Sequence, residues 1–355
     1  SGTISAAGFH YGINVSGAAA ICVCNVSTFT GGISNSGTIS AVNTGITVVG
    51  TATFTGGISN SGTISGGGIL VNNVAQFGSS SAGGGITNSG KISATTGNGI
   101  VIQNVTTFYG GILNSGTISG RGGIFASFST FYGGVSNSGT IVSANSGFSV
   151  GSGSIFSGDL SNSGTIVAAH TGIGVFSVTT FFGGITNSGA ISVTASTGAG
   201  IFVGSVSTFT GVISNAGTIS TAGKGISVSS VAQFGSSSAG GGITNSGAIS
   251  ARGIGINVSG ASTLNGAIGN TGVITAATGI KIGAGVSFAS GLGGFDILNT
   301  GTITGTTAAI DARAASSVVG ILQIAGTING DILLPTTAGI VGELAVFGGT
   351  INGNI

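Results

Sequence analysis

The sequence predicts an all-β protein, a right-handed parallel β-helix (β-solenoid) of about fourteen coils with three short strands in each. Three observations carry the expectation. A tripeptide of the form Asn-[Ser/Thr/Ala]-Gly recurs with its Asn at 35, 60, 88, 114, 137, 162, 187, 215, 245, 270 and 299; its ten intervals span 264 residues, a mean of 26.4. Periods of 20–50 residues are the signature of stacked repeat architectures. Apolar residues alternate with Ser and Thr between the anchors, which is strand rather than helix periodicity. The composition agrees: Gly is 75 of 355 residues, Pro 1 and Met 0, and charged residues are 3% against about 25% in ordinary soluble domains.

A full unit reads GGISNSGTISAVNTGITVVGTATFT, Gly31 to Thr55. Its first strand is GGISN, its second TISA and its third GITV. Alternation points Ile33 and Asn35 inward, then Ile39 and Ala41, then Ile46 and Val48, leaving Ser34, Thr38, Ser40 and Thr47 outside. Glycine doublets and the Ser-Gly pair mark corners, where the backbone needs positive φ or close approach. The intervals between anchors differ mostly after the second and third strands, so those corners carry the loops. One unit cannot bury its own apolar face. Stacked units can, each strand pairing in parallel with its copy in the next coil.

Two inward columns follow. The asparagines Asn35, Asn60, Asn88, Asn114, Asn137, Asn162, Asn187, Asn215, Asn245, Asn270 and Asn299 are expected to form a ladder of amides. Phe29, Phe54, Phe77, Phe108, Phe131, Phe156, Phe181, Phe209 and Phe234 recur shortly before the first strand, with Leu264 in their place once; stacked rings there would fill the interior. Both columns read as scaffold. The whole of 1–355 reads as one solenoid, with regular repeats over 1–304 and a degenerate continuation over 305–355, where IAGTING and FGGTING hold the register. The segment VAQFGSSSAGGGITNSG at 74–90 recurs unchanged at 231–247, six coils on, which suggests duplication of a block in an array that serves length.

Units of the form GGIxNSGTISAxxxGIxV, at 31–48, 56–71 and 184–203 with small variations, resemble the repeat regions of autotransporter (type V secretion) passengers. GTINGDI and GGTINGNI are similar to motifs near the end of such passengers. The resemblance implies a right-handed parallel β-helix displayed outside a Gram-negative cell, at the outer-membrane surface. The chain starts at Ser1 inside a repeat and contains no Met, so it is expected to be a piece of a longer precursor with its export signal and anchor elsewhere. Uncapped solenoid ends would continue into more coils or self-associate end to end into filaments.

Chemistry is sparse. Polysaccharide-cleaving β-helices need clustered carboxylates. Here only Asp159, Asp296, Asp311, Asp331 and Glu343 are acidic, and adjacent coils could bring two of Asp296, Asp311 and Asp331 near each other. Cys22 and Cys24 take outward positions two apart on one strand, poorly placed for a mutual disulfide, and two thiols do not complete a zinc site. His10 and His170 have no recognisable acid partner. No phosphate loop and no calcium nonapeptide is present. A net charge of +1 excludes a basic nucleic-acid surface, and no apolar run approaches the roughly 18 residues of a spanning helix. The outward pairs Thr38/Ser40, Thr63/Ser65, Thr117/Ser119 and Thr218/Ser220 make a candidate binding face of the flat kind that ice- or glycan-binding solenoids carry. It is interrupted by Lys91, Val142, Val167, Ala190, Ala248 and Val273. The expected function is a non-catalytic structural or adhesive stalk or fibre segment, with no cofactor and no metal. The alternatives are an ice- or glycan-binding face and, third, a polysaccharide-degrading β-helix enzyme.

Overall fold

The computed structural model describes residues 13–16, 19–80, 84–235, 242–260, 262–290, 295–316, 319–335 and 343–355. His10 and the opening SGTIS lie outside them. The chain divides into two compact units, 1–169 and 170–355. The described residues are strands and corners, without helix.

In the first unit a complete coil is Gly57–Asn60, Thr63–Gly66 and Gly68–Phe77. The next is Gly85–Asn88, Lys91–Ala94 and Asn98–Tyr109. Each strand pairs in parallel with its copy, Ile58 opposite Ile86, Ile64 opposite Ile92, and Ile69 opposite Ile100. The second unit repeats the scheme, for example with Ile213–Asn215, Thr218–Thr221 and Lys224–Phe234. Among the described residues six first strands lie in one unit and seven in the other, close to the fourteen repeats counted in the sequence. This is an all-β parallel β-solenoid.

The corner after the first strand explains the anchor tripeptide. The carbonyl of Asn35 accepts from the backbone N–H of both Ser61 (2.8 Å) and Gly62 (3.1 Å) in the next coil, and the same pair of bonds recurs from Ser89 and Gly90 to Asn60. The turn is therefore stitched to its neighbour with its donors satisfied. Its glycine is required by proximity: a Cβ on Gly116 would collide with the carbonyl of Gly90 in the preceding coil.

The third strand departs from expectation. It is not short: Asn98–Tyr109 and Thr171–Phe182 each run 12 residues, absorbing the segment that carries the Phe. It also bends. Asn25, Asn73, Asn104, Ser152, Ser177, Ser205 and Ser230 hold φ of 52–56°, a left-handed conformation uncommon outside Gly. The bend resets the alternation, so inward residues run Ile100, Ile102, Val105, Phe108.

A second departure lies at the first described strand. Ile13–Ser16 pairs antiparallel with Ala19–Cys24, which itself pairs in parallel with Thr44–Val49. Two residues separate the antiparallel strands, too few for a parallel crossover.

The core is a stack of like residues. Ile33, Ile46, Ile58, Ile86 and Ile112 are 0–2% exposed. Where one member changes size, a neighbour compensates. Phe128 occupies the column of Val74 and Val105, and the adjacent coil carries Gly153 there; a Cβ on Gly153 would lie 2.5 Å from Phe128 Cε2.

Candidate functional site

The asparagines form two runs of hydrogen-bonded amides, one in each unit. In the first, Nδ2 of Asn35, Asn60, Asn88, Asn114 and Asn137 donates to Oδ1 of Asn60, Asn88, Asn114, Asn137 and Asn162, at 2.6–2.8 Å. In the second, the donations run Asn187 to Asn215, Asn215 to Asn245, Asn245 to Asn270, and Asn270 to Asn299, at 2.7–2.8 Å. Each Nδ2 also reaches the carbonyl two residues on, such as Asn114 to Gly116 at 3.2 Å. All eleven side chains are buried. With donors and acceptors matched along each run, the burial costs little. The second run continues to Gln323, whose Oε1 accepts from Asn299 at 2.8 Å and whose Nε2 donates to Ala325 O. Sequence reasoning missed Gln323, although ILQ at 321–323 aligns with ILN at 297–299.

The Phe side chains stack face to face. In the first unit, successive centroids from Phe29 through Phe54, Phe77, Phe108 and Phe131 to Phe156 lie 4.5–5.0 Å apart. In the second, Phe181, Phe209 and Phe234 are spaced by 4.9 Å. Leu264 stands opposite Phe234 and is buried, and Phe288 follows opposite Leu264. These columns are structural: they offer nothing to a ligand.

The Thr/Ser pairs project outward from the second strand. Thr38 stands opposite Thr63 and Ser40 opposite Ser65, while Thr63 and Thr117 flank Lys91 and Ser65 and Ser119 flank Ser93. The Thr column of this unit then resumes at Thr140 and Thr165, but its partner column passes from Ser119 to Val142 and Val167. In the second unit Thr218 lies between Ala190 and Ala248, and Ser220 between Ser192 and Ser250. The two hydroxyl columns are thus continuous over only a few coils.

The carboxylates are not brought together. Asp311 takes a two-pronged bond from Arg313, Nε to Oδ1 at 2.9 Å and Nη2 to Oδ2 at 3.0 Å. That guanidinium, with Lys281 facing it across the strands, holds the carboxyl below its usual range. Asp296 is buried and accepts from Gly320 N–H at 2.9 Å; burial raises its carboxyl, and the N–H only partly offsets this. Asp331 accepts from the backbone and side chain of Asn354. The coil neighbour of Asp311 is Leu333, not Asp331. Among the described residues no group of three His, Cys, Asp or Glu could hold a metal.

Cys22 and Cys24 point outward from one strand with their Cα atoms 5.5 Å apart and their sulfurs against each other, nearer than the i, i+2 spacing was read to allow. His170 is exposed at a corner, its carbonyl accepting from Ala199 N–H.

No family model, no curated protein and no solved structure matches this chain.

Proposed function

We propose that this chain is a non-catalytic structural and adhesive stalk segment of an exported bacterial surface protein, built like an autotransporter passenger and standing outside the outer membrane of a Gram-negative cell. The observation that carries the reading is the use of its polar and aromatic groups: amides and rings repeat coil after coil to hold neighbouring coils together. Two carboxylates of the second unit serve the same end, Asp296 on Gly320 and Asp331 on Asn354, while Asp311 is held by Arg313 within its own coil. A solenoid whose coils contact only their neighbours is extended by adding units, and the unchanged copy of 74–90 at 231–247 fits growth by block duplication. End-to-end association into fibres is a variant of the same reading.

Protease shaving and immunogold labelling of intact producing cells test it. The chain is expected to be labelled outside the cell and cleaved without lysis; a chain protected until lysis contradicts the proposal. Incubation with pectin-like and other glycans is expected to release no product. Turnover abolished by Asp296→Ala or Asp311→Ala would replace the stalk with an enzyme.

A further inference from the structure

The corner between second and third strands has a notch in the first unit, and coil length explains it. Ile92, Ile118 and Ile141 are register partners on successive second strands, and Ile100, Ile124 and Phe148 on successive third strands. Ile100 follows Ile92 by eight residues and Phe148 follows Ile141 by seven, but Ile124 follows Ile118 by only six. The corner at Arg121 and Gly122 is therefore recessed between two longer ones. The recess is an open cavity of about 410 Å³, within the usual range of small-molecule sites, roughly 300–1,000 Å³.

Asn98 stands on one wall, Asn145, Ser146 and Ser149 on the other, with Arg121 and Phe125 between. Gly122 leaves room for the Asn98 carboxamide, which a Cβ there would strike. Among the described residues the side-chain amides of Asn98 and Asn145 make no hydrogen bond within the protein, and Arg121 pairs with no carboxylate. Asp159 is the only acidic residue of this unit, and it comes 38 positions after Arg121. The backbone of Arg121 is held on both sides, its N–H on Gly97 O at 2.8 Å and its carbonyl by Ser143 Oγ at 3.1 Å. The exposed guanidinium is thus anchored at its base and unneutralised at its tip. Phe125 is half-buried, has no ring partner among the described residues, and is flanked across the strands by Val101 and Ser149.

We infer that this notch binds a carboxylated sugar residue of an acidic glycan. The guanidinium fork matches a carboxylate with two parallel N–H···O bonds. The free amides and hydroxyls suit ring hydroxyls, and Phe125 offers an apolar surface to the C–H face of a pyranose. A neutral hexose would keep the last two contacts and lose the charge-assisted pair. The inference deepens the adhesive reading and rests on it.

The test is titration of the full chain with trigalacturonate and with its methyl ester, followed by isotope-edited NMR. Trigalacturonate is expected to shift the amides of residues 96–98, 121–125 and 145–149, and the ester to bind at least tenfold more weakly. Arg121→Ala should lose tenfold or more and Arg121→Lys several-fold, while Lys91→Ala, on the adjacent coil, stays unchanged. Arg121 is exposed, so near-ultraviolet circular dichroism should show each variant folded. Equal binding of acid and ester, or full binding by Arg121→Ala, overturns the notch. Adhesion of the whole chain to acidic polysaccharide surfaces separates the two claims. Adhesion that Arg121→Ala leaves intact refutes the notch alone; absence of adhesion to any surface, together with no binding in titration, removes the adhesive reading as well.

Discussion

Replacing Asn114 by Asp changes one atom, and the amide ladder dictates a specific outcome. Asn114 is 2% exposed. It accepts from Asn88 at 2.7 Å and donates to Asn137 Oδ1 at 2.6 Å and Gly116 O at 3.2 Å. An ionised Asp keeps the acceptor but sets a carboxylate oxygen against two other acceptors. At about 1–3 kcal/mol for each buried group left unpartnered, the loss is about 2–6 kcal/mol at neutral pH, centred on three coils. Protonation restores a donor toward Asn137. Burial and the two facing oxygens therefore raise the folded-state carboxyl above its unfolded value of about 3.9. Folding then takes up a proton, so the penalty is absent below about pH 3.9 and grows as pH rises through the folded value. Native-state amide exchange at pH 4 and pH 7, referenced to intrinsic rates, reads this. Protection of 85–88, 111–114 and 135–137 should fall at pH 7 and largely recover at pH 4. Unchanged protection at pH 7, or a larger loss at pH 4, would refute the ladder as the source of coil cohesion.

Other perturbations follow from the same packing. Phe131→Ala removes a ring between Phe108 and Phe156 and should cost about 3–5 kcal/mol, with protease cuts confined to neighbouring coils because contacts reach only adjacent repeats. Phe128→Val and Gly153→Val should each destabilise, by a void and by a clash, while the double variant costs less than the sum by about 0.5–3 kcal/mol in urea unfolding. Asp296→Asn keeps an oxygen for Gly320 N–H and removes a carboxyl that burial has raised. Wild-type stability should decline as pH rises above the ordinary carboxylate value of 3.8, and the variant should lose that part of the decline. Asp311 has the opposite sign: its lowered carboxyl contributes stability above its ordinary value that is lost as pH falls through the folded one.

The repeat made the architecture legible because Asn and Phe each recur once in nearly every coil of the regular repeats. Period-two alternation placed Ile33, Ile39 and Ile46 correctly, since each stands on a straight stretch. It failed in the third strand, where the left-handed residue at Asn73 or Ser205 puts inward positions three apart. The pattern Ile-x-[Ile/Val]-x-x-Val-x-x-Phe was present at 100–108 and 201–209, but two-residue alternation does not detect it. Gln323 escaped because its longer side chain fills an Asn position without the tripeptide. The notch at Arg121 was hidden for a different reason: it arises from a difference in corner length between neighbours, visible only once register fixes which residues are opposite.

The central claim is that successive repeats lie side by side, in parallel and in register. Methyl-labelled isoleucine provides the direct measurement. Nuclear Overhauser contacts should link Ile58 to Ile86 and Ile86 to Ile112, residues 28 and 26 apart in sequence that are opposed in the first-strand sheet. Parallel in-register stacking predicts these contacts together with backbone contacts between Asn60, Asn88 and Asn114. Contacts in an antiparallel order, or none beyond neighbours in sequence, would contradict the account.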